Sequence, residues 1–221
     1  MLTGAAAAPA CGERLFENAR FVVCPFDAAK QQMRIVRSPT RGFAGLPAQG
    51  VAFAMNAGMF DEDGAPIGLW VENGAVRHGL NTASGGGNFY MLPNGVFSQD
   101  ADGTLHVETT ERFAARRAKP RWATQSGPML LIGGKLHPQV SSDGPSRNIR
   151  NGVCVKEPRL AFFAISQDKV SFGRLARLFR DGLGCRSALY FDGAVSSLWW
   201  PQAQRMDAQT PLGPLVVITN R

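Results

Sequence analysis

Charge and the residues of common catalytic chemistry are both scarce in this chain. Charged residues make up 19% of its 221 residues, below the usual ~25%, and there are only 3 His and 4 Cys. No apolar run approaches the ~18 residues of a membrane-spanning helix. The cysteines, Cys11, Cys24, Cys154 and Cys185, form no Cys-x-x-Cys pair and have no histidine cluster nearby, so a structural zinc site is not expected. Walker A, dinucleotide-binding, Gly-x-Ser-x-Gly and His-Glu-x-x-His sequences are all missing. His78, His106 and His137 are scattered through strand and turn sequence, which argues against a histidine-based triad. Internal repeats and low-complexity linkers are absent too.

What is present is glycine, 25 residues, and enough length for one large domain. Lys plus Arg number 24 against 17 Asp plus Glu, a net of +7. A basic balance brings in nucleic acid, phosphate and anionic surfaces as partners to weigh. Cys11 and Cys24 enclose a short loop whose closure is worth roughly 3 kcal/mol in the chain-entropy model. We expect a disulfide there, and hence an oxidising compartment, periplasmic or extracellular. Cys154 and Cys185 lie in apolar runs and read as buried, inert thiols. Met1–Ala10 has no Lys or Arg and too short an apolar run for a complete signal peptide; it looks like a stub left by cleavage or a start joined to a mature N-terminus.

Turn sequences dominate the first two-thirds. Asn73-Gly74, Asn94-Gly95, Asp102-Gly103 and Gly133-Gly134 each predict a hairpin. Val51–Met55 reads as a strand buried on both faces. In the last third, Leu160–Ile165 predicts a strand. Ser171 predicts the cap of a helix carrying Phe172, Leu175, Ala176, Phe179 and Leu183 at helical spacing, and Gly184 its end. Ala188–Phe191 predicts the next strand, so the segment is a βαβ unit, and Leu215–Thr219 predicts a final strand. The fold class is α+β: one domain, a mixed β-sheet with several antiparallel hairpins and a C-terminal βαβ unit.

Polar residues stand at the ends of these strands. Asn56 follows Val51–Met55 and Asp192 follows Ala188–Phe191, each leading into a glycine-containing turn, the place where ligand crevices form in sheets with parallel strands. Taken singly, an Asp-Gly after a strand is an ordinary turn. Ser126-Gly127 and the run Ser146 to Gly152, with Arg147, Arg150 and Asn151, combine close backbone approach with guanidinium forks suited to phosphate or carboxylate. By composition alone those two arginines are ordinary loop residues.

The ordered blocks Met55-Asn56-Ala57-Gly58-Met59-Phe60, Pro66–Leu69, Gly87–Tyr90, Gln125–Met129, Arg150–Val153, Ala164–Ser166 and Ala188–Gly193 resemble the phosphodiester glycosidase family. The resemblance runs from about Phe21 to Val217 and is greatest to its short bacterial branch. It implies a phosphodiester glycosidase-like domain over residues 21–221, with residues 1–20 an N-terminal segment tethered by the expected disulfide. It also implies hydrolysis of a sugar-1-phosphodiester at the glycosidic bond. Asp192 would be nucleophile or base, and Arg150 the phosphate clamp with Arg147 helping. Asn56, Asn88 and Ser126 would orient the ligand, with Asn151 and the backbone at Gly58, Gly127 and Gly193 lining it. Ala57 stands where the pattern of the family's animal member has Gly, and the run after Asp192 has fewer glycines than that pattern, which points to a differently shaped pocket. No cofactor is required by the sequence, although a phosphodiester site is compatible with a divalent cation.

Other features read more plainly. Asp168 is a second carboxylate candidate or a turn residue. Arg112, Arg116, Arg117, Lys119 and Arg121 read as a solvated connection rather than a nucleic-acid patch, and Trp199-Trp200 as a packed loop rather than a sugar platform. The expected partner is a sugar phosphodiester or anionic glycan, not nucleic acid. A non-catalytic exported module that binds anionic glycan or cell-wall polymer is the alternative.

Overall fold

Strands that must bury both faces carry unbroken apolar sequence, and this chain builds its centre from them. The computed structural model describes residues 8–37, 41–117, 119–207 and 211–221; the expectation for Met1–Ala10 falls mostly on residues 1–7, outside the described residues. The first sheet contains β1 (Gly12–Phe16), β2 (Ala19–Asp27), β10 (Met129–Ile132), β11 (Lys135–Leu136), β12 (Asn151–Glu157), β13 (Leu160–Ser166) and β14 (Ser187–Tyr190) in the order β1-β2-β13-β12-β14-β10-β11. The second contains β3 (Gln31–Arg37), β4 (Val51–Asn56), β15 (Leu198–Trp200), β16 (Arg205–Met206) and β17 (Pro214–Asn220), ordered β16-β15-β4-β17-β3. The third contains β5 (Trp70–Glu72), β6 (Ala75–His78), β7 (Gly95–Gln99), β8 (Leu105–Thr109) and β9 (Trp122–Ser126), ordered β6-β5-β9-β7-β8.

The first sheet is covered on both sides, and its side chains sort by strand alternation. Val153, Phe163, Ile165, Leu189 and Phe191 face the other two sheets. Cys154, Ala164, Ala188 and Tyr190 face the helix α2 (Phe172–Arg177) and the wider helical turn that continues it through Gly182. Phe163 stands where the three sheets meet, its ring 5.4 Å from Phe53 of β4 and 5.5 Å from Phe97 of β7. Such edge-on aromatic contacts add roughly 0.5–1.5 kcal/mol each beyond area burial.

Three of the four predicted hairpins are present, joining β5 to β6, β7 to β8 and β10 to β11. Asn94-Gly95 is different. Asn94 is buried, donating to Phe89 O at 2.9 Å and accepting from Thr110 Oγ1 at 2.6 Å, so its side chain ties loops together instead of making a turn. The βαβ unit is present in split form. Strands β13 and β14 have the same direction, but β12 lies between them, antiparallel to both. Strand pairing among the described residues is antiparallel throughout, β12 filling the slot between the parallel strands β13 and β14.

Cys11 and Cys24 form the expected disulfide, and β1 pairs along β2 beside it. Cys154 and Cys185 are not free thiols: they form a second, buried bridge with Cα atoms 6.1 Å apart. Their 31-residue separation and apolar surroundings conceal the bridge in the sequence, since a cysteine in such a run reads as a buried thiol. The segment from Arg112 to Arg121 also gains structure, a short helix α1 (Thr110–Arg116) capped by Thr109. Trp199-Trp200 belongs to β15, with Trp199 packed near Phe43.

Candidate active site

The ends of β4, β12 and β14 meet through buried amides. Asn56 closes β4, and its Nδ2 donates to Asp192 O at 2.7 Å while its Oδ1 accepts from Asn151 Nδ2 at 2.8 Å and from Ser197 N at 2.8 Å. Asn151 opens β12 and accepts from Ser196 Oγ at 3.1 Å. Both asparagines are essentially fully buried. Each bond here satisfies a group that would cost about 1–3 kcal/mol if left unpaired. Together they fix the turn after β14.

That turn presents Asp192. Its backbone N donates to Ala57 O at 3.0 Å, and its carboxylate accepts from Ala194 N at 3.1 Å. The side chain is half-buried and has no ion-pair partner among the described residues. Burial pushes its pKa above the ordinary value, only partly countered by the Ala194 bond.

Arg150, just before β12, is 1% exposed and also lacks a carboxylate. Its Nε donates to Val170 O at 2.8 Å, Nη1 to Tyr190 Oη at 3.0 Å, and Nη2 to Ser146 O and Oγ at 3.1 and 3.0 Å. The guanidinium carbon lies 3.7 Å from the centre of the Phe172 ring. Neutral oxygens and an aromatic face therefore surround the cation, and its charge is not cancelled. Tyr190 links this group to Asp192. Its hydroxyl occupies the space where a Cβ on Gly193 would fall, so only glycine fits beside it. Burial first, against the opposing pull of Arg150, raises the Tyr190 pKa to about 12; the phenol keeps its proton at neutral pH.

The Ser126-Gly127 block joins from β9. Pro128 O accepts from Tyr190 N at 3.1 Å. A Cβ on Gly127 would press against Phe89 O and Asn88 O, and one on Gly58 against Thr124 and Gln125. Ser126 Oγ and Thr124 Oγ1 are buried without a hydrogen-bond partner. Buried Gln125 ties β9 to the loop at Leu69 and Asn81 and to α1, accepting from Leu69 N and Asn81 N and donating to Asn81 O and Thr110 Oγ1. Loop 141–146 lies on α2, where Gly173 leaves room for the carbonyls of Ser141 and Ser142. Ser171 Oγ caps α2 and donates to Asp143 at 3.0 Å, pinning the same loop.

Asn56, Asn151, Asp192, Gly193 and Arg150 are thus brought together by direct contacts or through Tyr190, with Gly58, Ser126, Gly127 and Asn88 alongside. Two predicted residues stand apart. Arg147 is exposed and paired with Asp143 at 2.9 Å. Asp168 is paired with Arg20 at 2.6 Å, whose hydrogen bonds hold its pKa at about 2. Tyr190, Phe172, Ser196 and Ser197 are not legible as site residues: an aromatic in an apolar strand or on the apolar face of a helix reads as core, and serines after a Gly-containing turn read as loop, while Ser146 is named only as the start of the run that carries Arg150. Among the described residues no group of three or more His, Cys, Asp and Glu stands together as a metal site.

Fold and site define an α+β protein of three antiparallel sheets whose strand ends gather one free carboxylate and one uncompensated guanidinium. The sequence profile of the phosphodiester glycosidase family matches residues 49–218, and the chain belongs to that family. It is 37% identical over 157 residues to the uncharacterized protein YigE of Escherichia coli (strain K12), a match covering 71% of this chain and 61% of that relative's length. Its fold is similar to the zebrafish N-acetylglucosamine-1-phosphodiester alpha-N-acetylglucosaminidase catalytic domain auto-inhibited by pro-peptide, with a TM-score of 0.66 at 10% identity over 96% of this chain and 81% of that one. It is also similar to a hypothetical protein from Synechocystis, with a TM-score of 0.62 at 13% identity over 96% and 61% of the two chains. The two disulfides fit a secreted or periplasmic protein, and among the described residues no helix is long and apolar enough to cross a membrane.

Proposed function

We propose that the protein hydrolyses a sugar-1-phosphodiester at the glycosidic bond, releasing free sugar and a phosphomonoester, in a periplasmic or extracellular setting. The observation that carries this reading is that Tyr190 stands between Asp192, a half-buried carboxylate with no cation partner among the described residues, and Arg150, a buried cation with no carboxylate partner among them. Ordinary glycosidases use two carboxyl groups, one of them an acid that protonates an alkoxide leaving group. A phosphomonoester leaves without such help. One carboxylate and a fixed positive charge are then sufficient.

Asp192 acts as nucleophile or base at the anomeric carbon. Over the whole reaction a water oxygen bonds to that carbon and the carbon–oxygen bond to phosphate breaks. The bonding pair passes to the phosphate oxygen, and the water's proton goes to Asp192 or solvent. Arg150 stabilises the negative charge as it develops, an effect strongest in a water-poor wall. Asn56 and Asn151 hold the Asp192 turn, while Ser126 and Asn88 offer side-chain groups to the ligand. The roles assigned to these residues need no metal ion, while a phosphodiester site is compatible with a divalent cation, so the rate is to be compared with and without a chelator.

The test is release of reducing sugar from a panel of sugar-1-phosphodiesters, with Asp192→Ala as control. Turnover by the wild type and none by the variant is expected. Tight binding of the diesters without release of either product would instead favour a glycan-binding module.

A further inference from the structure

A cavity of about 290 Å³ lies against Phe172 and Ser146, two of the residues that touch Arg150. It touches the guanidinium through two of its own walls: Phe172, whose ring covers the cation, and Ser146, whose oxygens accept from Nη2. Met91, Val140 and Asn88 form part of the remainder, and no charged side chain lines it. The contacts run in one order. Asp192 leads to Gly193, the Gly193 backbone to the Tyr190 hydroxyl, that hydroxyl to Arg150, and Arg150 to Phe172, Ser146 and the cavity. In this order of contacts the cation is the link between the Asp192 turn and two walls of the cavity.

We infer that this cavity receives the second ester group of the phosphodiester, and that the group is a small, uncharged alcohol with an apolar face. The inference rests on the reading of Asp192 and Arg150 given above. If the sugar is attacked at Asp192 and the phosphate is held by the charge of Arg150, the cavity walled by Phe172 and Ser146, both in contact with that guanidinium, is left for what lies beyond the phosphate. Its volume is at the low end of ligand pockets, about 300–1,000 Å³. Its walls supply apolar contact from Met91, Val140 and Phe172 and hydrogen bonds from Asn88 and Ser146, but no cation for a further phosphate. A nucleoside monophosphate, whose one phosphate is already assigned to Arg150, is therefore disfavoured by size, and a nucleoside diphosphate by charge as well.

Binding of the phosphomonoester product tests this without requiring turnover. Titration calorimetry with methyl phosphate, butyl phosphate and uridine monophosphate compares the three directly. Butyl phosphate should bind about tenfold more tightly than methyl phosphate, less than full burial of three methylenes would give, and uridine monophosphate no more tightly than methyl phosphate. Met91→Trp fills the cavity and should remove the butyl advantage while leaving methyl phosphate binding in place. Gln139→Trp, at the exposed rim, should reduce that advantage with little risk to folding. Equal binding of the methyl and butyl esters, no binding of either, tighter binding of uridine monophosphate, or an advantage that survives both variants would overturn the assignment even if sugar release succeeds. The expected pattern without sugar release would strike the catalytic reading alone.

Discussion

Arg150 and Arg116 are both arginines held by several hydrogen bonds, yet they stand in opposite electrostatic settings. Arg116, at the end of α1, meets Asp100 at 2.8 Å and Glu108 at 2.9 Å, so two carboxylates cancel its charge. Arg150 meets only carbonyls, hydroxyls and an aromatic ring. Removing a charge from water without a counter-ion is costly. A compensated arginine ties down structure, and an uncompensated one keeps its field for a ligand. Asp192 is the acidic counterpart, whereas Asp168, bound to Arg20, is a surface tie.

The largest effect that sharpens this contrast is expected at Asp192. Asp192→Asn should reduce sugar release by about a thousandfold or more, within the range for loss of a base or nucleophile. The same variant should be more stable than the wild type at neutral pH. Because burial raises the folded-state pKa above the ordinary 3.8, the native state holds its proton more tightly than the unfolded chain. Stability is then lost as pH rises from about that ordinary value through the folded one. The melting-temperature gap between variant and wild type should open over that window and close below it. Wild-type turnover should fall as pH drops through the same raised pKa. A variant less stable than the wild type at pH 7 would remove the claim that Asp192 is a strained, functional carboxylate.

Next comes Arg150→Lys, which keeps the charge but loses the fork that serves Val170, Tyr190 and Ser146 at once. We expect kcat to fall about a hundredfold when corrected for the folded fraction measured by circular dichroism. An unchanged kcat would mean that Arg150 is a structural staple like Arg116.

Much of the site could be named from the sequence, and the reason is local. Asn56 and Asp192 follow apolar runs that read as buried strands, so their polar side chains are left at strand ends, whereas Arg150 is named only through the resemblance to the phosphodiester glycosidase family. The remainder depends on long-range partners. Tyr190 looks like core until Arg150 is found at its hydroxyl, and nothing in the run Ser146 to Arg150 says that its two arginines differ. Arg147 finds Asp143 four residues away and is neutralised, while Arg150 turns inward and is not. The fold shows the same division. Hairpins signalled by Gly-containing turns formed where the turn had strands on both sides, and Asn94-Gly95 failed because its asparagine is recruited by Thr110 and Phe89.

A smaller effect concerns the bridge beneath the site. Cys154 lies in β12, four positions after Arg150, and Cys185 enters the strand that ends in Tyr190. Replacing both by alanine should cost about 2–4 kcal/mol of stability, measured by denaturant unfolding against the wild type. The kcat of the folded variant should change little, since hydrogen bonds rather than the bridge set the Arg150 geometry.

The smallest effect is expected at Arg116, and it is the control that the comparison needs. Its ion pairs with Asp100 and Glu108 are partly exposed, so screening leaves them worth about 1 kcal/mol or less. Arg116→Met keeps the aliphatic stem near Phe113 and removes only the charge, which should lower the unfolding free energy by about that amount and leave kcat and KM unchanged. If Arg116→Met instead depressed turnover as far as Arg150→Lys does, charge compensation would not separate the two arginines. The assignment of Arg150 to the phosphate would then need support from bound product alone.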